Sequence, residues 1–288
     1  KQLLDFLDRY YIFYNFQYGF RKLHSMTLAL IEITDTIRRL VDEKNVVFSL
    51  FIDLKKAFDT VDHTILLYKL NHYGVRGHAN KFFKSYLSNR TQYTTVNGIS
   101  SNSRRISCGV PQGSVLGPIL FLIYINDLHR CVNRALTRLF ADDTNMILHS
   151  KNPAILKRQA LLQTQNLMKW CESNKLTINW DKNHFLLFHA KNKRITVDFN
   201  SLDIDGNIIK REISTKYLGL HVDEMFTWKK HTDHVYKSLL KFYGIFNQVK
   251  CFVNKKIIRQ LYFSYIHSCI KYGIEVYGSC AANFLARL

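Results

Sequence analysis

In "SMTLALIEITDTIRRLVDEK" the apolar residues Leu28, Ile31, Ile33, Ile37, Leu40 and Val41 recur near helical spacing behind Ser25, a capping residue type, so residues 1 to 45 read as helical. The pattern then changes. "VVFSLFIDL" is an unbroken β-branched and aromatic run ending in charge, which predicts a buried strand that delivers Asp53 to a sheet edge. Helical spacing returns in "DHTILLYKLNHYGV" and "HANKFFKSYLSN", with Asp62 placed to cap the first and Asp59 open to a capping role. A strand pair turning at Asn97-Gly98 follows, then a loop, "GVPQGS", and a long apolar helix to about Asn126. "LTRLFADDTNMILHS" reads as a hairpin with Asp142 and Asp143 at its tip, and a helix over roughly 153 to 174 leads into strands from "LTINWDKNHFLLF" to "STKYLGLHVDE". Residues 227 to 288 read as helical and basic.

Charge narrows the partners. Forty-one Lys and Arg against 22 Asp and Glu leave a net charge of +19, which favours a polyanion. Between Lys216 and the end, eleven basic residues face four acidic ones; this helical tail reads equally as a phosphate track or a solvated face. The chain is 47% hydrophobic, enough for a real core of one domain or several subdomains, and most of its aromatic residues are expected to fill it. Its longest apolar run falls short of the about 20 residues that span a bilayer, so no membrane partner is expected. The start at Lys1, without a signal-peptide pattern, reads as a piece of a longer chain. Six cysteines without paired-ligand spacing read as reduced, mostly buried thiols, and the H-x-x-H pair His231 and His234 lacks further zinc ligands.

The acidic residues carry the chemistry. Two aspartates at a hairpin tip have an ordinary explanation, since Asp favours turns. Asp53 at the end of another strand alters that balance, because three converging carboxylates repel unless cations neutralise them. Hard oxygen ligands of this kind suit Mg2+ or Mn2+, and two such ions about 4 Å apart serve in-line displacement at phosphorus. Gly109, Pro111 and Gly113 make "GVPQGSVLG" stiff in one place and free in another ahead of a helix N-terminus, without the G-K-[ST] of a Walker loop.

Five blocks, "FIDLKKAFDTVDH", "GVPQGSVLGPILFLIYINDL", "FADD", "LTINWDKN" and "YLGLHVDEMFTWKKH", occur in the order and at about the spacing found in reverse transcriptases of non-LTR (LINE-type) retrotransposons. The chain most resembles the jockey-like branch, from "FQYGFRKLHS" to "HSCIKYGIEVYG". The resemblance implies an α+β right-hand polymerase: a palm of antiparallel sheet with helices on one side, partial fingers and a helical thumb. The implied division is 1–45 partial fingers, 46–63 first part of the palm, 64–107 fingers insertion, 108–226 palm with catalytic hairpin and primer grip, and 227–288 thumb.

It also implies roles. Asp53, Asp142 and Asp143 would be the ligands of two Mg2+ ions, with Mn2+ as the substitute, and Phe58 would crowd the 2′ position of the incoming sugar. Gln112 and Gly113 would lie against incoming nucleotide and template, and Arg21 and Lys22 would reach triphosphate or template phosphates. Lys182 would protonate departing pyrophosphate, although Asn183 stands where the family usually has Thr and Trp180 where it has a small residue or Pro. Tyr217, Leu218 and Gly219 would grip the primer. The expected partners are an RNA template, a DNA primer and dNTPs, with nuclear and cytoplasmic localisation and an endonuclease elsewhere in the full element. The usual first fingers block has no counterpart after Lys1. An RNA-dependent RNA polymerase fits less well, given "FADD" and Phe58; a group II intron maturase or telomerase fits the motifs less well; and a non-catalytic nucleic-acid-binding relic is the rival outside enzymes.

Overall fold

The run of apolar residues after position 45 forms β1 (Val46–Ile52), and all seven of its residues are buried. In the computed structural model, which describes every residue except Arg194, Thr196, Arg287 and Leu288, β1 is an inner strand of a six-stranded sheet. The others are β2 (Leu136–Phe140), β3 (Asp143–Ser150), β4 (His184–Phe188), β5 (Ser201–Ile204) and β6 (Asn207–Arg211), in the order β2-β3-β1-β4-β6-β5.

Two expectations about this sheet are corrected. It is mixed, not antiparallel: β6 runs parallel to β4, with Lys210 opposite His184, because the β5–β6 hairpin docks through its second strand. Helices also cover both faces. Val46, Phe48, Leu50 and Ile52 join a core with Leu120 to Ile125 of one helix and Leu156, Leu167 and Cys171 of another. Val47 and Phe51 point the other way, into a core with Leu30, Ile33, Ile37 and Leu40. A strand apolar on both sides requires cover on both.

The cover comes from α1 (Met26–Asp42), α3 (Leu116–Ile125) and α4 (Pro153–Ser173), with α2 (His63–His72) alongside. Ser25 caps α1, its hydroxyl accepting from the Leu28 N–H at 3.1 Å. The buried stripe of α1 is turned slightly from the expected one, with Leu30 inside and Leu28 exposed. Asp62 caps α2 by accepting from the N–H groups of Thr64 and Ile65. Asn97-Gly98 turns a short hairpin of exposed residues, both at positive φ. A second, two-stranded sheet pairs β7 (Ser214–Tyr217) with β8 (Leu220–Asp223). Beyond it α5 (Lys229–Val249) opens a helical region as expected; the last two residues of the 227–288 segment lie outside the described ones. Of the six cysteines only Cys171 is buried, which corrects the expectation of mostly buried thiols.

Candidate active site

Strand register accounts for how three carboxylates far apart in sequence come together. β1 and β3 pair antiparallel with Ile52 opposite Thr144, so the next step outward brings Asp53 level with Asp143. β2 and β3 close their hairpin at the pair Phe140 and Asp143, leaving Ala141-Asp142 as the turn. Asp53, Asp142 and Asp143 therefore share one end of the sheet. Their charges respond to one another. Burial, with the Asp53 charge adding to it, raises the Asp142 pKa against a backbone hydrogen bond. Asp143 is pushed up to about 6 by desolvation first, then by Asp142 and Asp53, while Lys182 pulls the other way. Asp143 is nonetheless exposed, where it helps line an open cleft.

That cleft, about 350 Å³, is lined by Asp53, Asp143, Lys182, His184, Lys216 and Tyr217 among others. A second cleft of about 510 Å³ opens on the other side of Asp53, where Lys55, Lys56, Asn179 and Lys182 line it. Asp53 is tied from the 179–183 turn: the Asn179 amide donates to its Oδ2 at 2.6 Å and the Lys182 ammonium lies 3.5 Å from the same oxygen. The Asp53 N–H donates in turn to Asn183 Oδ1 at 2.7 Å. Asn183, where the resemblance leads to a Thr, thus holds the backbone of Asp53. The sequence reading missed Asn179, Asn183, Lys55 and Lys56; the adjacent basic pair beside Asp53 was the available signal, whereas nothing local marks the asparagines.

The "GVPQGS" loop is stitched onto the segment that follows β1. The N–H groups of Gly109 and Val110 donate to the carbonyls of Val61 and Phe58 at 2.8 and 2.9 Å. Gly109 has φ +85°, and a Cβ there would stand 2.7 Å from the Asp59 carbonyl oxygen, so only glycine fits. Gln112 donates from Nε2 to Asp59 Oδ1 at 2.7 Å, which gives Asp59 a role other than capping. Gly113, at φ +77°, borders open space. The Phe58 ring stacks on Phe121 of α3 at 4.3 Å and meets Phe20 edge-on at 6.3 Å.

The remaining candidates divide. Tyr217 ends β7, buried against Phe51 at 5.1 Å, and Leu218-Gly219 form the β7–β8 turn, both at positive φ. Tyr272 closes over that turn, its hydroxyl donating to the Leu218 carbonyl at 2.6 Å. Lys22 is exposed. Arg21 is engaged locally: Nη1 donates to the carbonyls of Tyr14 at 2.9 Å and Gln17 at 3.3 Å, and its guanidinium lies 5.5 Å from the Phe13 ring. Among the described residues, no group of three His, Cys, Asp or Glu side chains is arranged as a ready metal cage, which includes His231 and His234. The aspartate set nonetheless has the donor chemistry of a hard divalent cation: burial first, and then the neighbouring carboxylate charges, disfavours ionised Asp142 and Asp143, and a bound cation would offset both.

Residues 1–222 match the family described as Reverse transcriptase (RNA-dependent DNA polymerase). The chain is 28% identical over 293 residues to the RNA-directed DNA polymerase from mobile element jockey of Drosophila melanogaster, covering 95% of this chain and 30% of that protein. It is 29% identical over 311 residues to the probable RNA-directed DNA polymerase from transposon BS of the same species, covering 100% of this chain and 33% of the relative. The chain thus spans about a third of the length of these curated relatives. Among solved structures, apo telomerase from Candida tropicalis superimposes with a TM-score of 0.51 at 12% identity, over 77% of this chain and 38% of that one, a likeness of fold. With 222 of 288 residues inside the family match, and relatives among non-LTR retrotransposon polymerases along nearly its whole length, the chain belongs to the reverse transcriptase family.

Proposed function

We propose that this chain is the polymerase region of a non-LTR retrotransposon protein, adding dNTPs to the 3′-OH of a DNA primer on an RNA template. The observation that carries the reading is the convergence of Asp53, Asp142 and Asp143 at one end of β1 and β3, flanked by clefts with lysines on their walls. In this reading the sheet and its helices are the palm, 46–63 and 108–226; residues 1–45 and 64–107 are parts of the fingers, and 227–288 the thumb.

Asp53, Asp142 and Asp143 would hold the divalent ions, Mg2+ or Mn2+. Bound there, such ions supply Lewis acidity toward the primer hydroxyl and the phosphates. The chain's own groups do the rest. Lys55, Lys56 and Lys182 give the cleft beside Asp53 the positive charge that a triphosphate requires. Lys182 carries an ammonium within reach of Asp53 and is the proton donor for leaving pyrophosphate. Phe58, backed by Phe121, is a firm wall against a 2′-hydroxyl. Gln112, braced by Asp59, presents its carbonyl to the incoming nucleotide. The β7–β8 turn, closed by Tyr272, grips the primer end, and Lys22 faces solvent where template phosphates would pass.

Primer extension on a defined RNA template with dNTPs and Mg2+ tests this, run beside Asp53→Asn and Asp142→Asn. The parent is expected to extend and both variants to bind primer-template without extending it. A parent that binds with salt-sensitive affinity yet never extends would make the chain a non-catalytic nucleic-acid-binding fragment.

A further inference from the structure

The turn that aims the aspartates is strained. Ala141 sits at φ +54°, the left-handed region, where the first position of such a tight hairpin turn favours glycine and a side chain is strained. Something must hold it. The holding group comes from "FQYGFR", 124 residues upstream of Ala141 and buried against β2.

Gln17 is 2% exposed, and its Oε1 accepts from the Ala141 N–H at 3.0 Å and from the Gly19 N–H at 2.9 Å. Its Nε2 has no hydrogen-bond partner among the described residues. The backbone on either side is zipped to β2, since the Tyr18 N–H donates to the Leu139 carbonyl at 2.7 Å and the Leu139 N–H to the Phe16 carbonyl at 2.9 Å. Gly19 allows the contact: a Cβ there would stand 2.3 Å from the Ala141 nitrogen. Arg21 clamps the near side through the carbonyls of Tyr14 and Gln17.

We infer that Gln17 is a positioning residue for the catalytic hairpin, its side-chain oxygen holding the Ala141 turn so that Asp142 and Asp143 face Asp53. Gln17 touches no reacting atom. It acts by satisfying a backbone donor at the tip that would otherwise be buried and unpaired, with Gly19 and Arg21 fixing the bracket around it. The inference rests on the polymerase reading for its consequence in activity, but the hold on the turn is independent of it.

The test compares Gln17→Met, close in shape but lacking a strong acceptor, with Gln17→Glu, which at this buried position next to the aspartates takes its neutral form, keeping the carbonyl acceptor and exchanging the unpartnered Nε2 for a hydroxyl. Amide hydrogen exchange is read on a peptide covering residues 139–145 and on a β1 peptide covering 46–52 as the folding control. Gln17→Met is expected to speed exchange at the hairpin about tenfold or more with β1 unchanged, and Gln17→Glu to stay near the parent. Gly19→Ala is expected to follow Gln17→Met. In primer extension, Gln17→Met should lower kcat by about 10- to 100-fold while KM for dNTP and primer-template affinity stay within about twofold, the pattern of misplaced catalytic groups. Parent-like exchange at the hairpin in Gln17→Met, equal loss of protection at β1, or Gln17→Glu behaving as Gln17→Met would each overturn the inference. Failure of the parent to extend would sink the polymerase reading and leave the exchange result standing.

Discussion

The acidic end of the sheet and the carboxy-terminal helical region are built on opposite terms. Every residue of β1 is buried, and the strand pairing and hairpin turn around it place the site aspartates. In α5 only His231, Thr232 and Val235 are buried, all within its first two turns, and the helix Lys255–Leu261 and the π-helical segment Tyr262–His267 after it bury no residue. Leu240, Tyr243, Ile245, Phe252 and Tyr265 are exposed there, among lysines. The first region is rigid because burial fixes it. The second presents apolar and cationic surface together, the combination that suits a nucleic-acid duplex or single strand, and takes its order from contacts at its root.

The largest expected effect tests the first half of that contrast. Phe48 is fully buried between Phe185 and Phe199, so Phe48→Ala should cost about 3–5 kcal/mol by denaturant titration. A loss under about 1 kcal/mol would mean that this core is looser than its packing indicates.

Next in size is the functional cost of an aspartate. Asp53→Asn should reduce primer extension by about 10²–10³-fold, the scale of losing one electrostatic group at a reacting centre. Asp143→Asn should do the same while raising the melting temperature, because it removes a charge that burial first, and then Asp142 and Asp53, disfavour. A drop in melting temperature would break the link between charge crowding and function.

The root of the helical region is sensitive to pH. His231 is buried against Tyr277 and beside His221, and desolvation first, then the charges of His221 and His234, lower its pKa to about 4. The folded state therefore disfavours the proton that the unfolded chain takes up near pH 6.5. Stability is full above that pH and falls as pH drops through the unfolded value toward the folded one. Between pH 7 and 5 this amounts to about 2 kcal/mol. Denaturant midpoints for the parent and His231→Leu should show the acid loss in the parent and a flatter profile in the variant; identical slopes would remove His231 as the cause.

The smallest effect closes the comparison. Phe252 is 87% exposed, and Phe252→Ala should change folding stability by less than about 0.5 kcal/mol. If that side chain instead meets nucleic acid, the substitution weakens primer-template binding, which filter binding would read while stability stays constant.

The two aspartate motifs were visible along the chain because each sits where an apolar run ends, and a buried strand must release its charged residue at an edge. The caps at Ser25 and Asp62 and the turn at Asn97-Gly98 were equally legible, since local backbone chemistry decides them. Cover on both faces of β1 was implicit in an unbroken apolar run, but which helices supply it, and the parallel seam between β4 and β6, arise from docking of a hairpin that no local signal encodes. The bracing residues were hidden for the same reason: Asn183 meets the Asp53 backbone across 130 positions, and Gln17 meets Ala141 across 124. Sequence by itself determined most of the elements, their charges and the chemistry of the carboxylates, all set by neighbours within a turn or a strand, although the stretch from 10 to 25, read as helical, runs outside any helix. Only the tertiary structure decided strand order, register and the groups that hold the aspartates, because those hydrogen bonds join residues far apart in the chain and form only once the sheet has closed around them.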